Sequence, residues 1–279
     1  MILIADSGST KTHWCWKDES GKEHLLTSNG INPFLQTQEV ILRILKDELV
    51  QHLPQGTHFE QIFFYGAGCT PEKSVLVKEC IETCFPHTAV EVTSDLVGAA
   101  RSLCQREPGI ACILGTGSNS CAYDGEKITS SVSPLGYILG DEGSGAVLGR
   151  TLLGDCLKKQ LPPAVCDDFF AIYQLTPAEI LNKVYREPMP NRFMASLTPF
   201  LSAHREVPEI HRLLVEHFTR FFQRNVMQYA YTQLPIHLTG SIAWYFKEEV
   251  TEAAQSLGLL LGKFIQSPIE GLKEYHWQK

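Results

Sequence analysis

Apolar residues gather first in short runs of strand length and only later in helical periods. Ile2 to Ala5 is a compact apolar run closed by Asp6 and the polar turn Ser7-Gly-Ser-Thr-Lys-Thr12. A β-rich run, His13-Trp-Cys-Trp16, follows, then the turn Asp18 to Lys22 and the run His24 to Thr27. These spacings predict three short strands joined by two tight turns. The pattern returns at Gly109-Ile-Ala-Cys-Ile-Leu114. There the turn is Gly115-Thr-Gly-Ser-Asn119, followed by Ser120 to Tyr123, the turn Asp124 to Glu126, and Lys127 to Ser130. Two glycine and hydroxyl turns at equivalent places in a repeated unit predict an α/β chain built from two related halves.

The rest of the first half reads as a loop over 28–33, a helix over about 34–53, and a strand over Ile62 to Tyr65. A helix over Pro71 to Phe85, a strand over Ala89 to Thr93 and a helix over Leu96 to Cys104 complete a β-β-β-α-β-α-β-α order. The second half repeats the plan with more helix. Gly143 to Leu161 reads as a helix stopped by Pro162 and Pro163. Further helical stretches are expected to be broken by Pro177, Pro188, Pro190, Pro199 and Pro208, the longest running from Pro208 to Leu234. Ile236 to Thr239 reads as a strand closing on Gly240 and Ser241, followed by a helix, an apolar run from Gly258 to Leu261, and a terminal helix from about Pro268. The expected domains are residues 1–104 with a terminal helix at about 266–279, and residues 105–265 with a helical insertion at about 150–234.

The chain has 279 residues, of which 44% are hydrophobic and 20% charged, ordinary values for a globular protein. A net charge of −7 without a basic stripe argues against nucleic-acid binding. The apolar start is too short for a signal peptide, and no window approaches a membrane span. Nine cysteines without CxxC pairs fit a reducing compartment and no usual zinc site. Cytoplasmic location is the expectation. The ten histidines form no HExxH and are expected at the surface or half-buried, with His211 and His217 on different faces of one helix. Trp14 and Trp16 are expected to pack. No GxSxG elbow and no GxxxxGK[ST] loop occurs.

Asp6, at the end of a buried strand, suits a hydrated Mg²⁺, which prefers oxygen ligands and keeps most of its waters. The turn after it offers N–H groups, the hydroxyls of Ser9, Thr10 and Thr12, and the Lys11 ammonium to phosphate oxygens. Gly115, Thr116, Gly117 and Ser118 offer the same chemistry in the second half.

The stretches Asp6-Ser-Gly-Ser-Thr-Lys-Thr12, Thr93-Ser-Asp95, Gly115-Thr-Gly-Ser-Asn119, Gly140-Asp-Glu-Gly-Ser-Gly145 and Leu238-Thr-Gly-Ser-Ile-Ala243 occur in this order across nearly the whole chain. With them the chain resembles the N-acetylglucosamine kinase-like, BadF/BadG-type ATPase family of the actin, sugar kinase and Hsp70 superfamily. The resemblance implies ATP in a cleft between two RNase H-like domains. It places Thr10 and Thr116 on the phosphates and Gly240, Ser241 and Ala243 beside the adenosine. Asp95 matches the base that accepts the proton of the attacking sugar hydroxyl, alternatively an N-cap for the helix at Leu96. Asn32, Ser118, Asn119, Gly136 and Asp141 match sugar-contacting positions. Asp141 and Glu142 also read as acids at a helix start.

Two departures stand out. Ser7 and Ser9 replace glycines usual in the first motif, and Pro134-Leu135-Gly136-Tyr137 replaces a Gly-Trp-Gly-His-like run, with Tyr137 as the candidate substitute for the missing aromatic. The expected function is Mg²⁺- and ATP-dependent phosphorylation of an amino sugar or N-acetyl amino sugar, in a monomer or homodimer. The rival is an ATPase switch of the activator type, whose iron–sulfur cluster would call on cysteines such as Cys112 and Cys121.

Overall fold

The structure, a computed structural model, describes residues 1–277. The last two positions of the expected terminal helix, 278 and 279, lie outside the described residues. The chain divides into two compact units. One holds Met1–Arg106, the turn Gly125–Lys127 and the chain from Ser267 onward; the other holds Glu107–Asp124 and Ile128–Gln266.

In the first unit β1 (Ile2–Ser7), β2 (Lys11–Lys17) and β3 (Glu23–Asn29) lead into α1 (Gln38–Ile44), β4 (Gln61–Gly66), α2 (Ser74–Cys84), β5 (Ala89–Ser94) and α3 (Asp95–Cys104). The sheet order is β3-β2-β1-β4-β5. β1 pairs antiparallel with β2 and parallel with β4. A central strand is covered on both faces, which is why Leu3, Ile4 and Ala5 are all fully buried and the run does not alternate.

Two helix starts differ from the sequence pattern. The helix expected from 34 begins at Gln38, because the carbonyl of Asn32 closes a turn on the N–H groups of Leu35 and Gln36. It then widens to a π turn over Leu45–Leu49 and ends in a 3₁₀ turn over Val50–His52. The helix expected from Pro71 begins at Ser74, whose N–H first closes a turn on Thr70.

The second unit opens with β6 (Gly109–Leu114), β7 (Ser118–Tyr123) and β8 (Ile128–Val132). Helices follow: α4 (Gly136–Leu139), α5 (Gly145–Leu157), α6 (Pro163–Tyr173), α7 (Pro177–Tyr185), α8 (Pro190–Ala195), α9 (Thr198–Ala203) and α10 (Pro208–Arg224). Then come β9 (Ile236–Thr239), α11 (Ser241–Tyr245), α12 (Lys247–Ser256) and β10 (Leu261–Ile265), before α13 (Ile269–Trp277) rejoins the first unit. This sheet is ordered β8-β7-β6-β9-β10, the same topology as the first. The extra helices enter between β8 and β9.

The helical stretches of the insertion are interrupted at its prolines as expected, and most of these prolines stand at the start of the next helix. Pro163, Pro177, Pro190 and Pro208 each begin a helix, and Pro199 is the second residue of α9. Proline is tolerated there because the first N–H groups of a helix have no intrahelical partner. The helix expected over 143–161 runs only from Gly145 to Leu157, with the Ser144 side chain accepting from Val147 N–H as its cap. The stretch expected to reach Leu234 ends as α-helix at Arg224.

The cores are aromatic-rich. Trp14, Phe59 and Phe64 anchor the first, and Phe169, Phe218, Phe221 and Phe222 anchor the second. Trp14 is fully buried and donates its Nε1–H to Ser28 Oγ at 2.9 Å. His217 is a correction: it is buried on the inner face of α10, not at the surface. Its Nε2 lies 3.0 Å from Thr151 Oγ1, and burial lowers its pKa to about 4, so the ring stays neutral. His211 faces outward and meets Glu252 at 2.8 Å.

Candidate active site

In the first unit the turn after β1 is tied down from within. Ser7 Oγ lies 2.7 Å from Thr12 Oγ1 and accepts from the N–H of Ile31 at 3.0 Å. Gly30 donates to the Thr10 carbonyl, and a Cβ on Gly30 would stand 2.3 Å from the Gly8 carbonyl oxygen, so only glycine permits this approach. Asn32 Nδ2 donates to Ser9 Oγ at 2.8 Å. What the turn leaves free is as informative. The N–H groups of Ser9 and Thr10 have no acceptor among the described residues. Thr10 and Lys11 are exposed, and no carboxylate pairs with Lys11 among the described residues. Unpaired successive amides beside a cation form a nest for an anion.

Two carboxylates belong to the same unit. Asp6 is half-buried near the end of β1, in register with His13 of β2 and Tyr65 of β4. Burial raises its pKa to about 7; the charge of Asp95 adds to the shift, and a hydrogen bond from Ser267 opposes it. Asp95 is the first residue of α3, directly after β5. Burial raises it to about 6 against the backbone amides of Leu96 and Asp95. The helix cap is Ser94, whose Oγ accepts from Val97 N–H at 3.3 Å. Asp95 is therefore not the N-cap, and its carboxylate is left for other work. Neither acid has a Lys or Arg partner among the described residues. Two crowded acids without a cation, among hydroxyl and carboxylate oxygens, fit a hydrated Mg²⁺, a hard ion that takes oxygen ligands. Cys69 is buried beside them; burial, with Asp95 adding, raises its pKa to about 12, so it stays a thiol.

In the second unit three stretches of the sequence meet at the end of β6. Gly145 donates to the Gly115 carbonyl at 2.8 Å and Ala146 to the Thr116 carbonyl at 3.0 Å. The first amides of α5 are thus spent on holding the turn. Thr116 and Gly117 keep N–H groups with no acceptor among the described residues, the same arrangement as at Ser9 and Thr10. Asp141 Oδ1 accepts from Ser118 N–H at 3.3 Å, and burial raises Asp141 to about 6. Asp141 adopts a φ of 54°, and its own N–H returns to the Pro134 carbonyl at 2.8 Å, so the loop from 134 to 141 closes on itself. Glu142 pairs with Arg224 and accepts from Asn225. The helix start sits beyond both acids, at Ser144. Gly240, with a φ of 107°, lies against the Leu114 carbonyl, where a Cβ would stand at 2.3 Å.

Not every expected residue reaches these clusters. Thr12 is fully buried, and its hydroxyl is used by Ser7 and the Asn29 carbonyl. Ala243 is fully buried in the second core, whereas Ser241 is exposed. Gly136 lies in open space with a φ of 73°. Tyr137 packs against the second core, and Leu135 is 59% exposed. Asn119 is half-buried and its Oδ1 accepts from Ser120 N–H. Sequence reasoning missed Ser267 and His13. Ser267 Oγ lies 3.4 Å from Asp6 Oδ2 and 3.3 Å from His13 Nδ1. Ser267 carries no motif, and only the return of the chain after β10 brings it there.

The duplicated sheet order, with strand-end turns and acids, defines the class: an actin-like, sugar-kinase fold. No family model matches the chain. A candidate N-acetylglucosamine kinase from Porphyromonas gingivalis is 47% identical, with a TM-score of 0.96 over 99% of this chain and 98% of that one. An N-acetylmuramic acid/N-acetylglucosamine kinase of Clostridium acetobutylicum is 27% identical over 209 residues, 71% of this chain and 68% of the relative. A ROK family glucokinase from Streptomyces griseus, solved with glucose and AMPPNP, shares the fold at a TM-score of 0.60 and 13% identity, over 96% of this chain and 95% of that one. The chain belongs to the N-acetylglucosamine kinase-like family of sugar kinases.

Proposed function

We propose that the protein transfers the γ-phosphoryl group of ATP to a hydroxyl of an amino sugar or N-acetyl amino sugar. The observation that carries this reading is chemical. Two equivalent turns, Ser9-Thr10 and Thr116-Gly117, each keep successive amides unpaired, and an uncapped carboxylate, Asp95, stands at a strand end of the first unit. The names of the Porphyromonas and Clostridium relatives support the sugar class, and the AMPPNP-bound neighbour supports ATP.

Asp95 would take the proton from the acceptor hydroxyl as its oxygen bonds to the γ-phosphorus and the bond to the leaving ADP oxygen breaks. A pKa near 6 leaves the group ionised and able to accept at neutral pH. The Ser9, Thr10, Thr116 and Gly117 amides and Lys11 would hold phosphate oxygens, because transfer depends mainly on positioning and charge stabilisation. Asp6 would hold Mg²⁺ through water, oriented by Ser267. When bound, that ion neutralises developing charge on the phosphoryl oxygens. Asp141, with Ser118 and Asn119, would meet sugar hydroxyls, while Gly240 and Ser241 would border the base.

The rival switch reading loses its cysteines. Cys112 and Cys121 are fully buried in the second unit and open no face to a cluster. A coupled assay of ADP release from Mg-ATP, across amino sugars, N-acetyl sugars and plain hexoses, tests the proposal. Turnover with one class supports it; ADP release that ignores every sugar contradicts it.

A further inference from the structure

Ser9 and Asn32 form a pair whose polarity can be assigned from its neighbours. Phe34 N–H approaches one end of the Asn32 amide at 3.0 Å. A donor there requires the carbonyl end, Oδ1, so the other end, 2.8 Å from Ser9 Oγ, is the amino group. Asn32 therefore donates, and Ser9 Oγ accepts with a lone pair. The hydroxyl proton of Ser9 is left pointing elsewhere, and no acceptor for it exists among the described residues. The second N–H of Asn32 Nδ2 is likewise without an acceptor among the described residues. The pair thus carries one unused donor at each end.

Both ends are held firmly. Asn32 N–H donates to Gln36 Oε1 at 2.9 Å, and Gln36 Nε2 donates to the Gly30 carbonyl at 2.8 Å. Gly30 in turn donates to Thr10, inside the turn whose amides are free. Gly68 closes the other side, where a Cβ would stand 2.3 Å from Asn32 Oδ1. Asn32 is 8% exposed, so it does not swing freely between partners.

We infer that Ser9 and Asn32 couple the phosphate turn to the acceptor loop. An anion at the turn accepts a hydrogen bond from the Ser9 hydroxyl, which strengthens Ser9 Oγ as acceptor and polarises the Asn32 amide. The unused Asn32 N–H becomes a better donor for an acceptor-sugar oxygen. Hydrogen bonds in a chain polarise one another in this way, and the effect is reciprocal, because each ligand changes the affinity of the other by the same factor. Ser9 and Asn32 are positioning residues in this relation. The inference rests on the kinase reading for the identity of the two ligands.

The test is calorimetric and needs no turnover. AMPPNP with Mg²⁺ is titrated into the full chain with and without each sugar of the panel, and the ratio of the two affinities is the coupling. The ratio should exceed 1 in the natural protein. Its size should be roughly 3- to 10-fold, the scale of one hydrogen bond, falling to near 1 in Ser9→Ala and Ser9→Gly and being retained in Ser9→Thr. Ser9→Gly also guards against misfolding, since glycine suits the turn. A ratio of 1 in the natural protein, or an unchanged ratio in both truncations, overturns the coupling. Turnover measured separately distinguishes the failures: a sugar that is phosphorylated without coupling removes the relay alone. If no sugar is phosphorylated and none shifts AMPPNP affinity, the relay and the kinase reading both fall.

Discussion

Ser267 Oγ donates to Asp6 Oδ2 at 3.4 Å, tying the end of the central strand β1 to the segment that leads into α13. The bond stabilises the ionised form, yet burial and the neighbouring Asp95 outweigh it and leave Asp6 near 7. An acid crowded in this way is strained until a cation arrives.

Asp6 should therefore cost stability in the metal-free protein. Between its unfolded pKa near 4 and its folded value of about 7, the native state holds the extra proton. Its contribution to stability is present in full below the lower value and is lost as pH rises through the higher one. At pH 8, Asp6→Asn should raise metal-free stability in urea by on the order of 1–2 kcal/mol, while phosphoryl transfer collapses. A variant less stable than the parent at that pH contradicts this.

Asp95→Asn should lower kcat by about 10²- to 10⁴-fold, the usual worth of a positioned base. Its stability at neutral pH should not drop, because Ser94 caps α3 and Asp95 does not. In the parent, kcat should fall with acid below pH 6 as Asp95 takes up its proton, about tenfold per pH unit. A flat pH–rate profile between 5 and 7 would show that another group does the work.

The two threonines of the first turn should separate. Thr10→Val removes an exposed hydroxyl and should weaken AMPPNP binding with little change in stability. Thr12→Val removes a fully buried hydroxyl bonded to Ser7 and Asn29, and should cost about 1–3 kcal/mol of stability. Paired binding and urea measurements decide it; equal loss of affinity in both variants would place Thr12 on the phosphates after all.

Glycine substitutions give opposite signs. Gly240→Ala sets a Cβ 2.3 Å from the Leu114 carbonyl at a φ of 107°, and should cost several kcal/mol, roughly 2–4. Gly154 lies within α5 with nothing within 4 Å of an added Cβ, so Gly154→Ala should gain about 0.5–1 kcal/mol. Thermal unfolding of the two variants reads both signs at once.

The strands were legible because their side chains meet one environment each. β1, β4, β6 and β9 are flanked on both sides in their sheets, and a short apolar run can hardly be anything else. Helix ends were less legible, since they turn on which local acceptor wins. Ser94 caps α3 one residue before the Asp95 that the motif offered, and Ser144 caps α5 beyond the Asp141 and Glu142 read as its start. The prolines marked the interruptions between helices, but composition does not say that most of them open the next helix, where proline fits. In the site, the turns Ser7–Thr12 and Gly115–Ser118 were visible as glycine-hydroxyl clusters. That Thr12 and Ala243 point inward was not, because a small residue in a motif looks the same whichever way it faces. Ser267 was invisible: its partner Asp6 lies 261 positions away.

ADP release from Mg-ATP by the purified protein, measured across the sugar panel with Asp95→Asn alongside, is the most direct test of all. The expected result is turnover with an amino sugar or N-acetyl amino sugar, lost in the variant. Turnover indifferent to sugar, or undiminished by Asp95→Asn, would contradict the assignment of Asp95 as base in a sugar kinase.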